Sequence, residues 1–403
     1  MADAVDATQR LSADRYWSSP FAPQIPDSAT QHLEQWLEKN GYADVAKDLD
    51  RFAGASVGGL LDPSKRIARN PIIVFNGWGD RVQHENTLNP FGVAPLGSHG
   101  MEFLLSELHQ LGYESRAVFG ITAGPGNWLA SQVTKLDKDL VLRARRRLEA
   151  LISYADAHAE PGKKLRFVSI GHSGGNLIRD AVVKGGNQVD ENGAEYDIGP
   201  SLAHRFERAV MISTPRSGIM TAGAMPLHPL YSGPTGFQPG SEFIERLNDH
   251  PVRVADEVYT VWPMNDEVMG PALTPYVHPT CSVISGADKE DGHVSLLHPV
   301  PSHTTIKDFM AEVIAKIAAD GEIPKSPVAS LFPVVTQWVP TPVGMGYSPI
   351  PYLASGKLFD TAHLLSPAAG FLAMSAEYQK GMSALAASAL EASFTRPNAK
   401  PKD

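Results

Sequence analysis

The 403-residue sequence predicts an α/β protein with a mostly parallel central sheet that is covered by helices on both faces. Three observations carry this prediction. Short apolar runs alternate with amphipathic helical stretches over residues 71–320, residues 1–70 are mainly helical in pattern, and the chain after 320 is first rich in proline and then helical. We therefore expect an N-terminal helical extension at 1–70, an α/β domain at 71–320 with a lid-like insertion at 220–250, and a proline-rich plus helical C-terminal extension at 321–403.

The alternation can be followed element by element. Short apolar runs bounded by turn residues predict strands, at 72–75, 115–121, 165–170, 208–213, 257–262 and 281–284. Apolar residues at three- to four-residue spacing predict helices, at 102–111, 127–157, from 174 onward, and 304–319. In the N-terminal extension, Ser28 is expected to cap a helix that Gly41 closes. Proline density in 324–353 favours an extended strap that lies on the core.

Charge and composition exclude several classes of function. The chain has 35 basic and 44 acidic residues, for a net charge of −9, so no basic surface for nucleic acid is expected. Four arginines do cluster on a predicted helix and are expected to form a solvated face: Arg143, Arg145, Arg146 and Arg147. The one cysteine, Cys281, excludes an internal disulfide and a cysteine-based metal site.

Location is predicted from what the sequence lacks. Its first residues do not show a cationic start followed by an apolar core, as a secretory signal would. No run reaches the about 18 apolar residues of a membrane span. These features favour a cytoplasmic protein, although export by a signal-independent route and contact with a membrane surface are compatible with them. The oligomeric state is not predicted.

A Gly-x-Ser-x-Gly pentapeptide at 171–175 provides a candidate nucleophile. The strand-like "LRFVSI" precedes it and the helix-like "GGNLIRDAVV" follows it, so Ser173 is expected at a sharp strand-to-helix turn. Gly171 and Gly175 remove the clashes that such a turn creates. A serine hydroxyl is a poor nucleophile at neutral pH and needs a base and an oxyanion site, so partners must lie further along the chain.

An acid and a histidine follow in the order that this motif requires. Asp266 comes just after the strand at 257–262 and is the favoured acid, with the adjoining Glu267 as its alternative. His293 follows the strand at 281–284 on a predicted loop, and His298 is its rival. The oxyanion site is assigned to the backbone N–H of Gly174 and that of Trp78, which follows the strand at 72–75.

Taken together, these pieces resemble the α/β-hydrolase superfamily and, within it, the lipases and related esterases. The matching stretches are "VFNGWG", "GHSGG", "ISTPRSG", "QPGSEFIERLN" and "NDEVM…DGHVSLL", and the resemblance covers about 71–320. It implies a serine hydrolase that cleaves a carboxylic ester through an acyl-enzyme. One departure is Asn76, which stands where the family commonly has histidine, so we expect a different side chain to hold the oxyanion loop.

The segment 220–240 predicts the class of substrate. It is rich in glycine and proline and also in apolar residues, as an apolar loop over a site would be, and this favours a hydrophobic or lipid-like ester. Four of its residues are candidates for substrate binding: Met225, Leu227, Leu230 and Phe237. The acidic residues at 190–197, together with Asp288 and Asp291, lack the spacing of a calcium loop, so we expect no metal and no cofactor.

Three alternatives remain open at this stage. An acyltransferase would use the same Ser-Asp-His triad and pass the acyl group to an acceptor other than water. A lipase effector that acts on membranes is compatible with the missing signal and with the alanine- and methionine-rich end of the chain. A catalytically silent binding module that keeps the fold belongs to a different class, and the intact order of the three residues argues against it.

Overall fold

The computed structural model describes twelve stretches of the chain, at residues 29–47, 54–55, 57–82, 100–125, 134–216, 218–219, 233–238, 240–263, 281–285, 311–321, 338–340 and 347–349. The chain divides into two compact units, 1–350 and 351–403. All the described residues belong to the first unit, and the architecture below is that of this unit.

A seven-stranded sheet forms its centre, in the spatial order β1-β3-β2-β4-β7-β8-β9. All neighbouring strands from β3 to β9 run parallel, and only the short edge strand β1 pairs antiparallel, with β3. The strands of this sheet are β1 (Gly54–Ala55), β2 (Ile72–Phe75), β3 (Val118–Thr122), β4 (Phe167–His172), β7 (Phe206–Ile212), β8 (Glu257–Pro263) and β9 (Cys281–Ser285). The parallel order with crossovers between non-adjacent strands confirms the predicted α/β-hydrolase fold.

Helices cover both faces of the sheet, as predicted. Successive residues of β2 point to opposite sides: Ile73 and Phe75 join one apolar cluster, and Ile72 and Val74 join the other. The first cluster contains α1, α3, α4 and α5, and the second contains α2 and α6. These helices are α1 (Gln31–Lys39), α2 (Glu102–Gln110), α3 (Lys138–Ala157), α4 (Gly174–Lys184), α5 (Glu242–Asp249) and α6 (Ala311–Asp320).

Two predicted helix starts differ from the structure. Helix α1 is capped by Thr30, whose hydroxyl accepts the N–H of Leu33 at 3.2 Å, whereas the predicted cap, Ser28, lies outside the described residues. Helix α3 begins at Lys138, because Asp137 accepts the N–H of Leu140 at 2.8 Å and so caps the helix. The apolar spacing upstream of this cap suggested a start at 127, but residues 134–137 are not helical.

The described part of the N-terminal extension contributes to the sheet as well as to a helix. β1 pairs with the edge of β3, and Gly58 approaches β3 so closely that a Cβ there would lie 2.5 Å from the carbonyl oxygen of Val118. Among the described residues that follow α1, a short 3-10 turn spans Ala43–Val45. The predicted domain boundaries at 70 and 320 stay predictions.

Two small antiparallel pairs were not predicted. β5 (Asn187–Val189) pairs with β6 (Glu195–Asp197), in a stretch whose acidic residues suggested only a solvated loop. β10 (Trp338–Pro340) pairs with β11 (Tyr347–Pro349), within the segment expected to be an extended strap. The turn between β5 and β6 contains Asn192 and Gly193, residue types that permit the chain to reverse.

The expected solvated arginine face is wrong for two of its four members. Arg145 is 3% exposed and Arg147 is fully buried. Arg145 donates to the carbonyl oxygens of Val182 and Pro200, each at 2.7 Å, and Arg147 donates to that of Val45 at 2.7 Å. A guanidinium has several donors, and here they satisfy the carbonyls of Val182 near the end of α4, Pro200 in a loop and Val45 in the 3-10 turn. Within the described ranges, no helix combines the length and apolar character needed to cross a membrane.

Candidate active site

Ser173 stands at a strained turn between β4 and α4. Its backbone has φ 49° and ψ −135°, a conformation that non-glycine residues rarely adopt. The turn is held on both sides: the Ser173 N–H donates to the carbonyl of Ile212 at 2.9 Å, and the Ser173 carbonyl accepts the N–H of Asn176 at 3.0 Å. The Asn176 side chain also donates to Ile212, at 3.0 Å. This is the backbone geometry that the pentapeptide predicts for an exposed nucleophile at a sheet edge.

Packing explains why glycine follows the serine by two residues. A Cβ at Gly175 would lie 1.8 Å from the main-chain oxygen of Asn76, which cannot move without shifting the end of β2. The start of α4 therefore sits directly against the end of β2. This close approach brings the Ser173 turn next to the loop to which the oxyanion site was assigned.

Asn76 holds that loop, as its unusual presence in the motif suggested. The side chain is fully buried, and its Nδ2 donates to the carbonyl of Gly77 at 2.7 Å and also to that of Asp80. Its Oδ1 accepts the N–H of Ala123, at the end of β3, at 2.8 Å. One amide thus ties the loop after β2 to the loop after β3, which confirms that a side chain other than histidine fixes this loop.

The loop lies against the nucleophile turn. A Cβ at Gly77 would lie 3.6 Å from the Cβ of Ser173, and a Cβ at Gly174 would lie 3.3 Å from the Cβ of Trp78. Ser173, Gly174 and Trp78 are therefore brought together by the ends of β2 and β4. The roles of Gly174 and Trp78 as oxyanion donors stay predictions.

An aromatic pair covers Gly174. The ring of Phe237 is 1% exposed and would be 2.6 Å from a Cβ at Gly174. It meets the indole of Trp78 edge-on, with ring centroids 5.6 Å apart and an interplanar angle of 76°. Of the four predicted substrate-binding residues, Phe237 thus stands at the nucleophile turn, and Met225, Leu227 and Leu230 lie outside the described residues.

The remaining two members of the predicted triad also lie outside the described residues: Asp266 and His293. The strands that precede them are described. β8 ends at Pro263 and β9 ends at Ser285, and both belong to the run of parallel strands that contains β4. Because parallel strands end at one edge of a sheet, both segments leave β8 and β9 at the edge that carries Ser173.

A second serine, Ser213, shares the unusual backbone of Ser173. It has φ 43° and follows β7, the strand next to β4. Its N–H donates to Val261 at 2.8 Å, one strand further along, just as Ser173 donates to Ile212. The Ser213 side chain is fully buried and no glycine-led helix follows it, so this turn redirects the chain rather than presenting a hydroxyl.

A buried charged cluster beneath the site was not predicted. It consists of Arg179, Asp180 and Lys184 on α4, and Arg216 on the loop after β7, and none is more than 3% exposed. Burial alone would raise the pKa of Asp180. The positive charges of Arg179, Arg216 and Lys184 lower it by more than burial raises it, so the pKa lies below its usual value. Burial, with help from Arg216, lowers the pKa of Lys184 to about 8. In the sequence, the signal for this cluster is three charged residues, Arg179, Asp180 and Lys184, in a mostly apolar helix.

The described residues contain no group of three or more histidine, cysteine, aspartate or glutamate side chains arranged to hold a metal ion. Next to Ser173, the side chains of Asn76 and Asn176 already donate to main-chain carbonyls. The groups at this turn that can hold a developing negative charge on oxygen are therefore main-chain N–H groups.

Comparison with known proteins gives one family match. The model of the family described as Lipase (class 2) matches residues 69–304, which is more than half of the chain. A search of curated protein sequences finds no match.

Several solved structures are similar in part. The phospholipase PlaB from Legionella pneumophila in complex with thio-NAD is 13% identical, with a TM-score of 0.41 over 69% of this chain and 66% of its own, just under two thirds. Lipase B from Aspergillus fumigatus is 14% identical, with a TM-score of 0.36 over 66% of this chain and 57% of its own. Lipase BlEst2 from Bacillus licheniformis, in its mature form, is 13% identical, with a TM-score of 0.31 over 52% and 71%.

Proposed function

Because the chain belongs to the class 2 lipase family, a family of carboxylic ester hydrolases, we propose that it hydrolyses hydrophobic carboxylic esters through a Ser173-Asp266-His293 triad. The observation that carries the proposal is the backbone of Ser173, at φ 49° and ψ −135° between β4 and α4. Strain of this kind persists only where the surroundings enforce it, and here close glycine packing and two Asn176 hydrogen bonds do so.

The reaction would proceed in two acyl-transfer steps. His293 takes the proton of the Ser173 hydroxyl while its oxygen attacks the ester carbonyl, and then delivers that proton to the leaving alcohol as the carbon–oxygen bond breaks. Water, deprotonated by the same imidazole, then releases the acid and regenerates the hydroxyl. Asp266 would fix the tautomer of His293.

The N–H groups of Gly174 and Trp78 would hold the oxyanion in both steps. Support for this assignment is the proximity of the two residues, whose Cβ positions lie 3.3 Å apart when one is built on Gly174. One such donor is typically worth about 10²- to 10³-fold in rate, and each proton transfer about 10²- to 10⁴-fold. The hydroxyl of Ser173 should therefore be indispensable, whereas loss of a single hydrogen bond to the oxyanion loop should only slow the reaction.

The preference for hydrophobic esters is supported by the wall beside Gly174. Phe237 and Trp78 present apolar rings at the turn that bears the nucleophile, and Met225, Leu227 and Leu230 belong to the same apolar segment of sequence. Burial of one methylene in such a place contributes about 0.8 kcal/mol. We expect kcat/KM to rise from acetyl to octanoyl esters, and a flat profile would contradict this preference.

A fluorophosphonate probe tests the nucleophile directly, because it forms a covalent bond only with an activated serine. The wild-type protein should be labelled, and Ser173→Ala should lose both labelling and ester hydrolysis. Ser213→Ala is the matched control, since Ser213 has a similar backbone conformation but a fully buried hydroxyl. Labelling that survives in Ser173→Ala and disappears in Ser213→Ala would overturn the assignment.

A further inference from the structure

The loop after β7 is connected to the nucleophile helix by a buried ion pair. Arg216 Nη1 donates to Asp180 Oδ2, and Arg216 Nη2 donates to the carbonyl of Leu247, near the end of α5, at 3.3 Å. Asp180 is fully buried, six residues after Gly174 along α4 (180 − 174). A single guanidinium thus joins α4, α5 and the loop.

The other charges of the cluster fix this pair in place. Arg179 donates to Asp180 Oδ1 from Nε at 3.0 Å and from Nη2 at 2.7 Å, so both carboxylate oxygens are bonded. Lys184 Nζ donates to the Leu247 carbonyl at 2.7 Å, and Asn248 Nδ2 donates to the carbonyl of Arg216 at 2.9 Å. Cations at the end of α5 also complement the negative pole of its helix dipole. Residue 216 is therefore held at its side chain by Asp180 and Leu247, and at its carbonyl by Asn248.

The same loop leads to the aromatic wall. Three residues after Arg216, the N–H of Ile219 donates to the carbonyl of Phe237 at 2.6 Å. The Phe237 ring then returns to Gly174, at 2.6 Å from a Cβ built there. These contacts connect Gly174 to itself through four steps. Helix α4 leads from Gly174 to Asp180, an ion pair joins Asp180 to Arg216, the Ile219 hydrogen bond joins the loop of Arg216 to Phe237, and the Phe237 ring packs on Gly174.

We propose that Asp180 and Arg216 are positioning residues that set the distance of the Phe237 ring from the nucleophile turn and thereby set the selectivity of the site for the acyl chain. This inference rests on the proposed function, because it assigns a role within the ester-binding site. The covalent path along α4 is rigid, so the ion pair and the Ile219–Phe237 hydrogen bond are the adjustable links. If the ion pair is weakened, Phe237 moves and an acyl chain loses its apolar contact, while an acetyl group, too short to need that contact, is affected less.

A purely structural role for the cluster predicts a different result. If Asp180 and Arg216 only stabilise the fold, their substitution lowers the fraction of active protein and reduces hydrolysis of every ester by the same factor. Positioning instead raises KM for a long ester much more than for acetate. The ratio of kcat/KM for p-nitrophenyl octanoate to that for p-nitrophenyl acetate separates the two, since the active fraction cancels from it.

The experiment measures this ratio in Asp180→Asn, Arg216→Lys, Phe237→Ala, and each of the first two combined with Phe237→Ala. Each single substitution should lower the ratio about 10-fold, through KM for octanoate, because a shift of about 1 Å at a site has effects of this size or larger. The double variants should show no further loss, since the ring through which the pair acts is gone. Arg216→Lys keeps the buried positive charge but loses the guanidinium that bonds both Asp180 and the Leu247 carbonyl. This variant provides the test if Asp180→Asn does not fold.

Asp156→Asn is the matched control. It removes the carboxylate partner of Arg205, an Arg–Asp pair at 2.8 Å that lies on the surface, with side chains 23% and 43% exposed. Its ratio should equal that of the wild type. A proportional loss for both esters, an unchanged ratio in both single variants, or losses that multiply in the double variants would each overturn the positioning role.

The outcome also separates this inference from the proposed function. A wild-type protein that reacts with the fluorophosphonate probe and cleaves both esters, but shows multiplying losses, refutes only the positioning role. A wild-type protein that neither reacts with the probe nor cleaves either ester refutes the ester hydrolase itself.

Discussion

Two polar clusters, one buried and one partly buried, are built in opposite ways. The charged cluster, Arg179, Asp180, Lys184 and Arg216, keeps an ionised carboxylate among cations beside the nucleophile helix. The aromatic cluster, His32, Trp36, Tyr154 and His158, joins α1 to α3 with groups that are neutral. One is built from full charges and the other from rings and hydroxyl hydrogen bonds.

The aromatic cluster is organised by the Tyr154 hydroxyl. Its oxygen accepts the N–H of Leu60 at 3.0 Å, which leaves its own hydrogen for Nδ1 of His32 at 2.8 Å. His158 donates from Nδ1 to the Tyr154 carbonyl at 2.7 Å, and its ring centroid lies 5.0 Å from that of His32. Burial lowers the pKa of His32, and the neighbouring His158 and Lys39 lower it further. Burial also lowers the pKa of His158, which Arg66 lowers further against the opposing hydrogen bond.

The difference between the clusters predicts which of them should lose stability on mutation and which on acidification. When one partner of a buried ion pair is removed, the remaining charges stay buried without the interaction that offsets their desolvation. The stability of the charged cluster should therefore be sensitive to substitution. Neutral histidines that acquire a charge on acidification make the aromatic cluster sensitive to pH. Both expectations can be checked separately.

The largest effect is expected for Asp180→Asn. It keeps the shape of the side chain but leaves Arg179 and Arg216 without this carboxylate, in a place where Asp180 is fully buried. The free energy of unfolding should fall by about 3 to 5 kcal/mol. Urea unfolding at neutral pH measures it, and a loss below about 1 kcal/mol would mean that the charges are screened and that the comparison with the aromatic cluster fails.

The sequence identified the site through residues whose task is local. Gly175 and Ser173 belong to a pentapeptide, and a strained turn depends on few neighbours, so the sharp turn at Ser173 could be predicted from a short stretch. Asn76 was recognised as a departure from the usual motif, and the need for a substitute hydrogen bond followed from it. The structure supplies its partner, the Ala123 N–H, which is distant in sequence.

The two clusters could not be predicted in the same way. Asp180 and Arg216 are 36 positions apart, and Tyr154 bonds residues 94 and 122 positions away, at Leu60 and His32. No periodicity links such residues. Charge in a helix usually indicates solvent, which predicts a solvated face at Arg145 and Arg147, whereas here carbonyls distant in sequence accept their hydrogen bonds. Long-range polar contacts are fixed by the fold and leave no local pattern.

An intermediate effect is expected on acidification, and it should originate in the aromatic cluster. The folded-state pKa values of His32 and His158 lie below the ordinary 6.5. Their contribution to stability is therefore complete above pH 6.5 and is lost as the pH falls through the lowered values. Unfolding free energy should decrease from pH 7.5 to 5.5, by less than Asp180→Asn costs.

His32→Gln provides the control for this titration, because its side-chain oxygen can still accept the Tyr154 hydroxyl hydrogen but does not take up a proton in this range. The slope of the unfolding free energy against pH between 7.5 and 5.5 should become shallower in this variant, by no more than the slope that the binding of one proton produces. An unchanged slope would assign the acid sensitivity to groups outside the aromatic cluster.

The smallest effect is expected for Asp44→Asn, which removes an exposed Arg–Asp pair at the same junction of α3 with the N-terminal extension. Arg146 Nε lies 3.4 Å from Asp44 Oδ2, with side chains 43% and 54% exposed. Water and salt screen this pair, and Arg146 keeps its contact with the Tyr42 ring, at 4.6 Å from the centroid. The loss should be below about 1 kcal/mol and should vanish in high salt, whereas that of Asp180→Asn should persist there. Equal salt dependence of the two variants would show that burial does not distinguish these two Arg–Asp contacts, and it would remove the physical basis for attributing the strength of the charged cluster to its burial.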